Sequence, residues 1–98
     1  MSIPQDVRAR EVEVVLPGVL KMTWDDGYVG LVDIRPIIKE GPMFAFLRDD
    51  PDSFAGVRIG EHGHSIYWQD PQGNEIDFGA DTLRQRAERQ AAILELAS

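Results

Sequence analysis

Apolar and polar residues alternate along residues 9–16, "AREVEVVL": Val12, Val14 and Leu16 fall on one side, Glu11 and Glu13 on the other. Alternation at period two marks a half-buried β-strand. Pro17-Gly18 then supplies a turn, proline by presetting φ and glycine by its permissive backbone. The next run, "VLKMTWD", places Leu20, Met22 and Trp24 on one face, with Lys21 and Thr23 opposite. Asp26-Gly27 follows as a hairpin signal, because primed turns need positive φ at their centre. In the third run, "YVGLVDI", both faces are apolar: Tyr28, Val32 and Ile34 against Val29 and Leu31. Such a strand is expected in the middle of a sheet, covered on both sides. Gly30 within it implies a bulge or a close approach by another element.

The pattern changes after Ile34. "RPIIKEG" has Pro36 where a helical turn can begin and Gly41 as a stop. "PMFAFLRDDPDSFAG" is interrupted by proline and aspartate, which predicts short helical turns with Met43, Phe44, Leu47 and Phe54 facing the core. "VRI" and "SIYW" predict a second hairpin around "GEHGH", with Ile66 and Trp68 on one face. After a loop, "QDPQGNEIDFG", one long helix is expected over 81–97. Leu83, Ala87, Gln90/Ala91 and Leu94 repeat at helical spacing there, and Ile93 and Leu96 widen the stripe near the end. Asp81 and Thr82 suit the dipole and the cap at its start. Arg84 and Glu88 are spaced as an i,i+4 ion pair.

The expected fold is therefore α+β. It comprises a small antiparallel sheet of about five strands (a three-strand meander plus a second hairpin), short helical turns in the middle and one C-terminal helix. At 98 residues the chain is expected to form a single domain, 1–98, with no room for a second core.

Composition narrows the setting. The hydrophobic fraction of 43% suits a globular protein. No apolar run reaches the length of a membrane span, and "MSIPQDVRAR" lacks the apolar stretch of a signal peptide, so a cytoplasmic protein is expected. The absence of cysteine excludes disulfides, thiolate metal sites and cysteine nucleophiles.

Charge is uneven. Of 10 Lys and Arg and 17 Asp and Glu, three of each sign lie in residues 81–98, so the whole net charge of −7 belongs to residues 1–80. A surface of that sign repels phosphate backbones, so direct nucleic-acid binding is not expected. A basic protein would be attracted to it.

Candidate chemistry is sparse. "GEHGHSIYW" holds the two histidines, His62 and His64, at a real metal-ligand spacing. A zinc site needs a third and usually a fourth ligand, and Glu61 would point to the opposite face of a strand. The glycines around the histidines read more simply as a hairpin turn. In "RDDPDSFAG" the aspartates miss the glycine and glutamate positions of a calcium loop, so Asp49 or Asp50 before Pro51 is expected to start or cap a turn. Ser53, Ser65, Thr23 and Thr82 lack an activating setting for a nucleophile. No phosphate-cradling loop or other cofactor signal is present. Trp24 and Trp68 fall on apolar strand faces and are expected in the core.

The run "GLVDIRPIIKEGPMFAFLRDDPDSFAGVRI", followed by "SIYW" and "DFGADTL", resembles the small bacterial DUF2442 family of unknown function. The positions that carry the resemblance are Asp33, Pro36, Gly41, Phe44, Leu47, Asp49, Phe54, Val57, Ile66, Trp68, Asp81, Thr82 and Leu83, and it spans roughly residues 8–84. Family members often have a proline before "DTL", where this chain has Ala80, and a shorter connection than "QDPQGNEID". The resemblance implies an α+β domain, sometimes joined to a helix-turn-helix and often encoded beside small partner genes in what look like toxin–antitoxin pairs. It implies no catalytic residue.

The functional expectation is a non-enzymatic interaction module that engages a small, basic protein partner, a second copy of itself, or both. Its helix contact is assigned to Leu83, Ala87, Ala91 and Leu94. The alternatives are a small metal-dependent enzyme built on His62 and His64, and a small-anion site using Arg35 or Arg48.

Overall fold

The computed structural model describes residues 7–97. Strands β1 (Ala9–Leu16), β2 (Val19–Trp24) and β3 (Val29–Asp33) form an antiparallel meander in that order. Helical turns α1 (Arg35–Ile38), α2 (Ala45–Asp49) and α3 (Pro51–Phe54) follow, with a 3-10 turn at Pro42–Phe44. A second antiparallel sheet comprises β4 (Arg58–Ile59), β5 (Ser65–Gln69) and β6 (Glu75–Gly79). The chain then enters the long helix α4 (Ala80–Ala97). The class is α+β, as expected, but the five-strand sheet becomes two sheets of three strands. The additional strand is β6, which pairs along β5 from Ser65↔Gly79 to Gln69↔Glu75.

The two sheets share one core. Leu20, Met22, Trp24 and Val32 from the first meet Ile66 and Trp68 from the second, with Ile38, Leu47 and Phe54 from the helical turns and Leu83 and Ala87 from α4. Both tryptophans are buried, and each indole N–H finds a carbonyl. Trp24 Nε1 donates to Ala80 O at 3.0 Å, and Trp68 Nε1 to Phe54 O at 2.8 Å. Ala80 N–H in turn donates to His64 O at 2.8 Å. The first residue of α4 is thus fastened to β2 on one side and to the start of β5 on the other.

In the middle of the chain, Asp50 caps α3, accepting from Asp52 N–H at 3.1 Å and from Ser53 Oγ at 2.9 Å. Phe44, Leu47 and Phe54 turn inward, whereas Met43 points outward and is exposed. The "GEHGH" segment is the connection between β4 and β5, a 3-10 turn over Glu61–Gly63. Gly63 is buried at φ +76°, directly beneath the carbonyl of Ala9 in β1. It is one of the points at which the two sheets touch.

Strand β3 departs from expectation. It lies at the edge of its sheet rather than in the middle, and its outer face, Val29 and Leu31, is about half exposed. Of the two features that Gly30 implies, a bulge or a close approach, the structure shows the close approach, by Ala87 of α4, and no bulge. Register irregularities occur instead in β1, between Ala9 and Glu11 and between Val14 and Leu16. The second leaves Val15 and Leu16 side by side and both exposed, so Leu16 leaves the face it would share with Val12 and Val14.

Candidate interaction surface

Helix α4 runs alongside β3 in the same direction. Arg84 meets the β2–β3 turn, Ala87 meets Gly30, and Gln90 meets Asp33. Gly30 permits the close approach: a Cβ there would lie 3.1 Å from Ala87 Cβ and 3.0 Å from the Tyr28 ring. At the far end of β3, side chains of α4 substitute for a strand partner. Asp33 N–H donates to Gln90 Oε1 at 3.1 Å, while Arg86 Nε and Gln90 Nε2 donate to Asp33 O at 2.8 and 3.3 Å. Blunting an edge in this way protects it from unspecific pairing.

The near end is latched by Arg84, which is 5% exposed. Its guanidinium makes a bidentate pair with Asp26, 2.9 Å to each carboxylate oxygen, and lies 4.1 Å over the Tyr28 ring. Trp24 is stacked more distantly, at 5.5 Å. Glu88 Oε1 stands 3.7 Å from Arg84 Nε, an ion-pair distance but beyond a hydrogen bond, so that nitrogen has no hydrogen-bond partner. The i,i+4 pair seen in the sequence is therefore the lesser contact of this arginine.

The hydrogen bonds from Arg84 hold the Asp26 carboxyl below its ordinary value of 3.8, and those from Arg35 do the same for Asp33. A carboxyl with a depressed folded pKa contributes stability that is fully present above its unfolded value and lost as the pH falls through the folded one. Asp26→Asn is accordingly expected to lower the melting temperature at neutral pH. Thermal unfolding followed from pH 7 down to pH ~3 should show the wild type and the variant converging below pH ~4. A gap that stays constant over that range would mean that the charge of Asp26 contributes nothing.

Beyond the latch, α4 leaves the core. Leu83 and Ala87 are 0% and 2% exposed, whereas Ala91 and Leu94 face solvent. Two of the four residues assigned to a partner contact are thus core, because they pack against the sheets, and the available surface begins at Ala91. The second half of α4 and the outer face of the first sheet enclose a groove of about 690 Å³. Its walls are Val15, Leu16, Val19, Val29 and Leu31 on the sheet side, with Ala91, Ile93 and Leu94 on the helix side. Ile93 and Leu94 are 59% and 65% exposed. Lys21, Asp33 and Arg35 are the charged residues that border it. Past Val29 the sheet face turns polar, with Glu11, Glu13 and Thr23 around Lys21.

The pattern that could have disclosed this surface was present in "YVGLVDI". The two apolar faces of β3 imply double burial in mid-sheet, but β3 is an edge strand and its outer face, Val29 and Leu31, belongs to the groove wall.

The other candidate sites are dispersed. His62 is largely exposed, with Nε2 3.4 Å from Glu61, and its ring centroid is 6.1 Å from that of His64. Among the described residues, no group of three or more His, Cys, Asp or Glu is disposed to hold a metal ion. Arg35 is engaged by Asp33, at 2.9 Å through Nε and 2.8 Å through Nη2. Arg48 Nη1 is committed to the carbonyls of Ile38 and Gly41 at 3.0 and 2.9 Å. Both cations of the anion reading thus serve local structure. Among the described residues no helix is long and apolar enough to cross a membrane.

A family model described as a protein of unknown function, DUF2442, matches residues 9–89. The chain belongs to the DUF2442 family. Its fold is also similar to the crystal structure of the Putative DNA Binding Protein NE0471 from Nitrosomonas europaea ATCC 19718. The two are 33% identical with a TM-score of 0.73, over 94% of this chain and 56% of that one. This DUF2442 chain therefore spans little more than half the length of that relative. A search of curated proteins found no match. The family match takes in both sheets and the first half of α4, and it ends before Ala91 and Leu94.

Proposed function

We propose that this DUF2442 domain is a non-enzymatic protein-interaction module whose contact surface is the groove between the first sheet and the second half of α4. The observation that carries the reading is the continuity of exposed apolar side chains across two elements, Val29 and Leu31 on β3 with Ile93 and Leu94 on α4. Scattered exposed leucines are ordinary, but a contiguous patch with a polar border is the mark of an interaction site. The acidic remainder of the surface would steer a basic protein toward the module, as suits the partner-binding member of a small bacterial, cytoplasmic protein pair.

The name of the Nitrosomonas protein raises a nucleic-acid role. Residues 1–80 of this chain carry the entire net charge of −7, which favours a basic protein over a phosphate backbone. On our reading the portion that the two proteins share serves association, and contact with DNA is not its task.

Leu94→Asp tests the proposal. Leu94 lies on the groove wall outside the buried cluster, so the variant should retain the far-UV circular dichroism of the wild type. A charge placed in a desolvated contact costs several kcal/mol, so affinity for the partner should fall by ~100-fold or more. Loss of the fold itself, or undiminished association in a pull-down from the host, would refute the assignment. Deleting α4 is a poorer test, since it strips Leu83 and Ala87 from the core.

A further inference from the structure

We propose that Asp26–Gly27 is a site of isoaspartate formation that Arg84 keeps closed, so that release of α4 from the β2–β3 turn opens the backbone there to an irreversible change. Nothing in this depends on what the groove binds.

Asp26–Gly27 is the one Asp–Gly pair in the sequence. Glycine after aspartate leaves no side chain to hinder the amide nitrogen, which is the nucleophile of the reaction. The nitrogen attacks Asp26 Cγ. Its proton and the carboxyl hydroxyl leave as water, and a cyclic succinimide closes. Water then adds to the ring. Opening at the carbonyl next to Cα gives an isoaspartyl link, in which the backbone runs through Cβ and Cγ and the carboxyl hangs directly from Cα. One water leaves and one enters, so the mass is unchanged and no oxidant, reductant or cofactor takes part.

In the folded chain both reacting groups are engaged elsewhere. Gly27 N–H donates to Trp24 O at 2.9 Å. Arg84 Nη1 and Nη2 donate to the two Asp26 carboxylate oxygens at 2.9 Å each, and Tyr28 N–H donates to Oδ1 at 3.2 Å. These bonds keep the carboxyl ionised, and a carboxylate has no hydroxyl to release as water. Bulk does not protect the site. Beyond the adjoining residues, nothing lies within 4 Å of a Cβ built on Gly27, and the Asp26 side chain is 40% exposed, so water reaches the turn. Of the restraints on the carboxyl, only the Arg84 fork comes from outside the turn, 58 residues away in the chain. Once isomerised, the shortened carboxyl arm and lengthened backbone no longer fit that fork. Arg84, 5% exposed, is then left with Glu88, at 3.7 Å from Nε, as its acidic neighbour, and α4 loses its anchor to the turn.

The test holds the full chain at neutral pH and physiological temperature for weeks. Isoaspartate is counted by enzymatic methylation with labelled S-adenosylmethionine and located by fragmentation of the tryptic peptide over residues 22–39. Wild type unfolded in guanidinium chloride should accumulate isoaspartate at position 26, and the folded wild type should do so severalfold more slowly. Arg84→Gln should approach the unfolded rate. Arg84→Lys keeps the charge without the fork and should fall between, which preserves the comparison if Arg84→Gln does not fold. Trp68→Phe weakens the fold from the second sheet and leaves the fork in place, so it should accumulate less than either arginine variant. Equal rates in the folded and unfolded wild type overturn the proposal, as do arginine variants no faster than the folded wild type. If Trp68→Phe matches them, general unfolding and not Arg84 governs the site, and the proposal fails. It fails too if the modification falls on Asp25 or Asp33.

Discussion

Trp68→Ala is expected to destabilise the protein by about 3–5 kcal/mol, the range for removing a large aromatic from a packed core. The indole is 1% exposed, stacks on Phe54 with centroids 5.4 Å apart, and meets Phe78 edge-on at 5.8 Å. It is also the donor to Phe54 O, which joins β5 to α3. A chain of this size has a total stability of roughly 5–15 kcal/mol, so the loss approaches the whole margin at the lower end. At ~4–8 °C per kcal/mol, the melting temperature should fall by well over 10 °C in calorimetry or by circular dichroism. Trp68→Phe separates the two contributions: it keeps most of the ring packing and withdraws the donor, for an expected cost of about 1–3 kcal/mol. Equal effects of the two variants would show that the hydrogen bond, and not the packing, carries the site.

The second large effect is expected at Gly63. Its φ of +76° costs an L-residue roughly 1–2 kcal/mol. An added Cβ would also stand 2.6 Å from the carbonyl oxygen of Ala9, a backbone atom that cannot swing aside. Relief requires the hairpin tip and β1 to separate, so Gly63→Ala should cost about 2–4 kcal/mol with the overpacking included. Gly73→Ala is the matched control. Gly73 has φ +87°, but nothing lies within 4 Å of its added Cβ, so it carries the conformational cost alone. If the two variants melt together in a side-by-side thermal scan, the contact between the sheets at Gly63 is soft and the argument fails.

Much of this fold was legible because its signals are local. The Asp26-Gly27 turn, the cap at Asp50, the paired apolar faces of β1 and β2 and the 3.6-residue stripe of α4 each lie within a few residues of one another. Strand β6 has the right alternation, Ile76 and Phe78 against Glu75 and Asp77, but it follows the turn-rich "QDPQGN" directly, and at five residues it is hard to tell from a continuation of that turn. For β3 the period was correct and the inference from it was not. A strand apolar on both faces must be covered on both, but the sequence does not say whether strands, a helix or another chain provides the cover. Arg84 escaped for a related reason. Its spacing from Glu88 suggested a solvated pair, whereas its burial depends on Asp26 and Tyr28, more than fifty residues away in the chain.

That separation bears on how the protein is made. The meander of β1 to β3 is complete once Asp33 has been synthesised, yet Ala80, Leu83 and Ala87, which close over Trp24, Gly30 and Val32, come about fifty residues later. At ~5–20 residues per second, a ribosome leaves that face of the nascent sheet uncovered for several seconds. Throughout that interval β3 presents an apolar edge with neither Gln90 nor Arg86 to blunt it. The interval before α4 arrives is therefore the one in which the nascent chain is most open to edge-to-edge pairing, and slower translation of the turn over residues 70–74 would lengthen it.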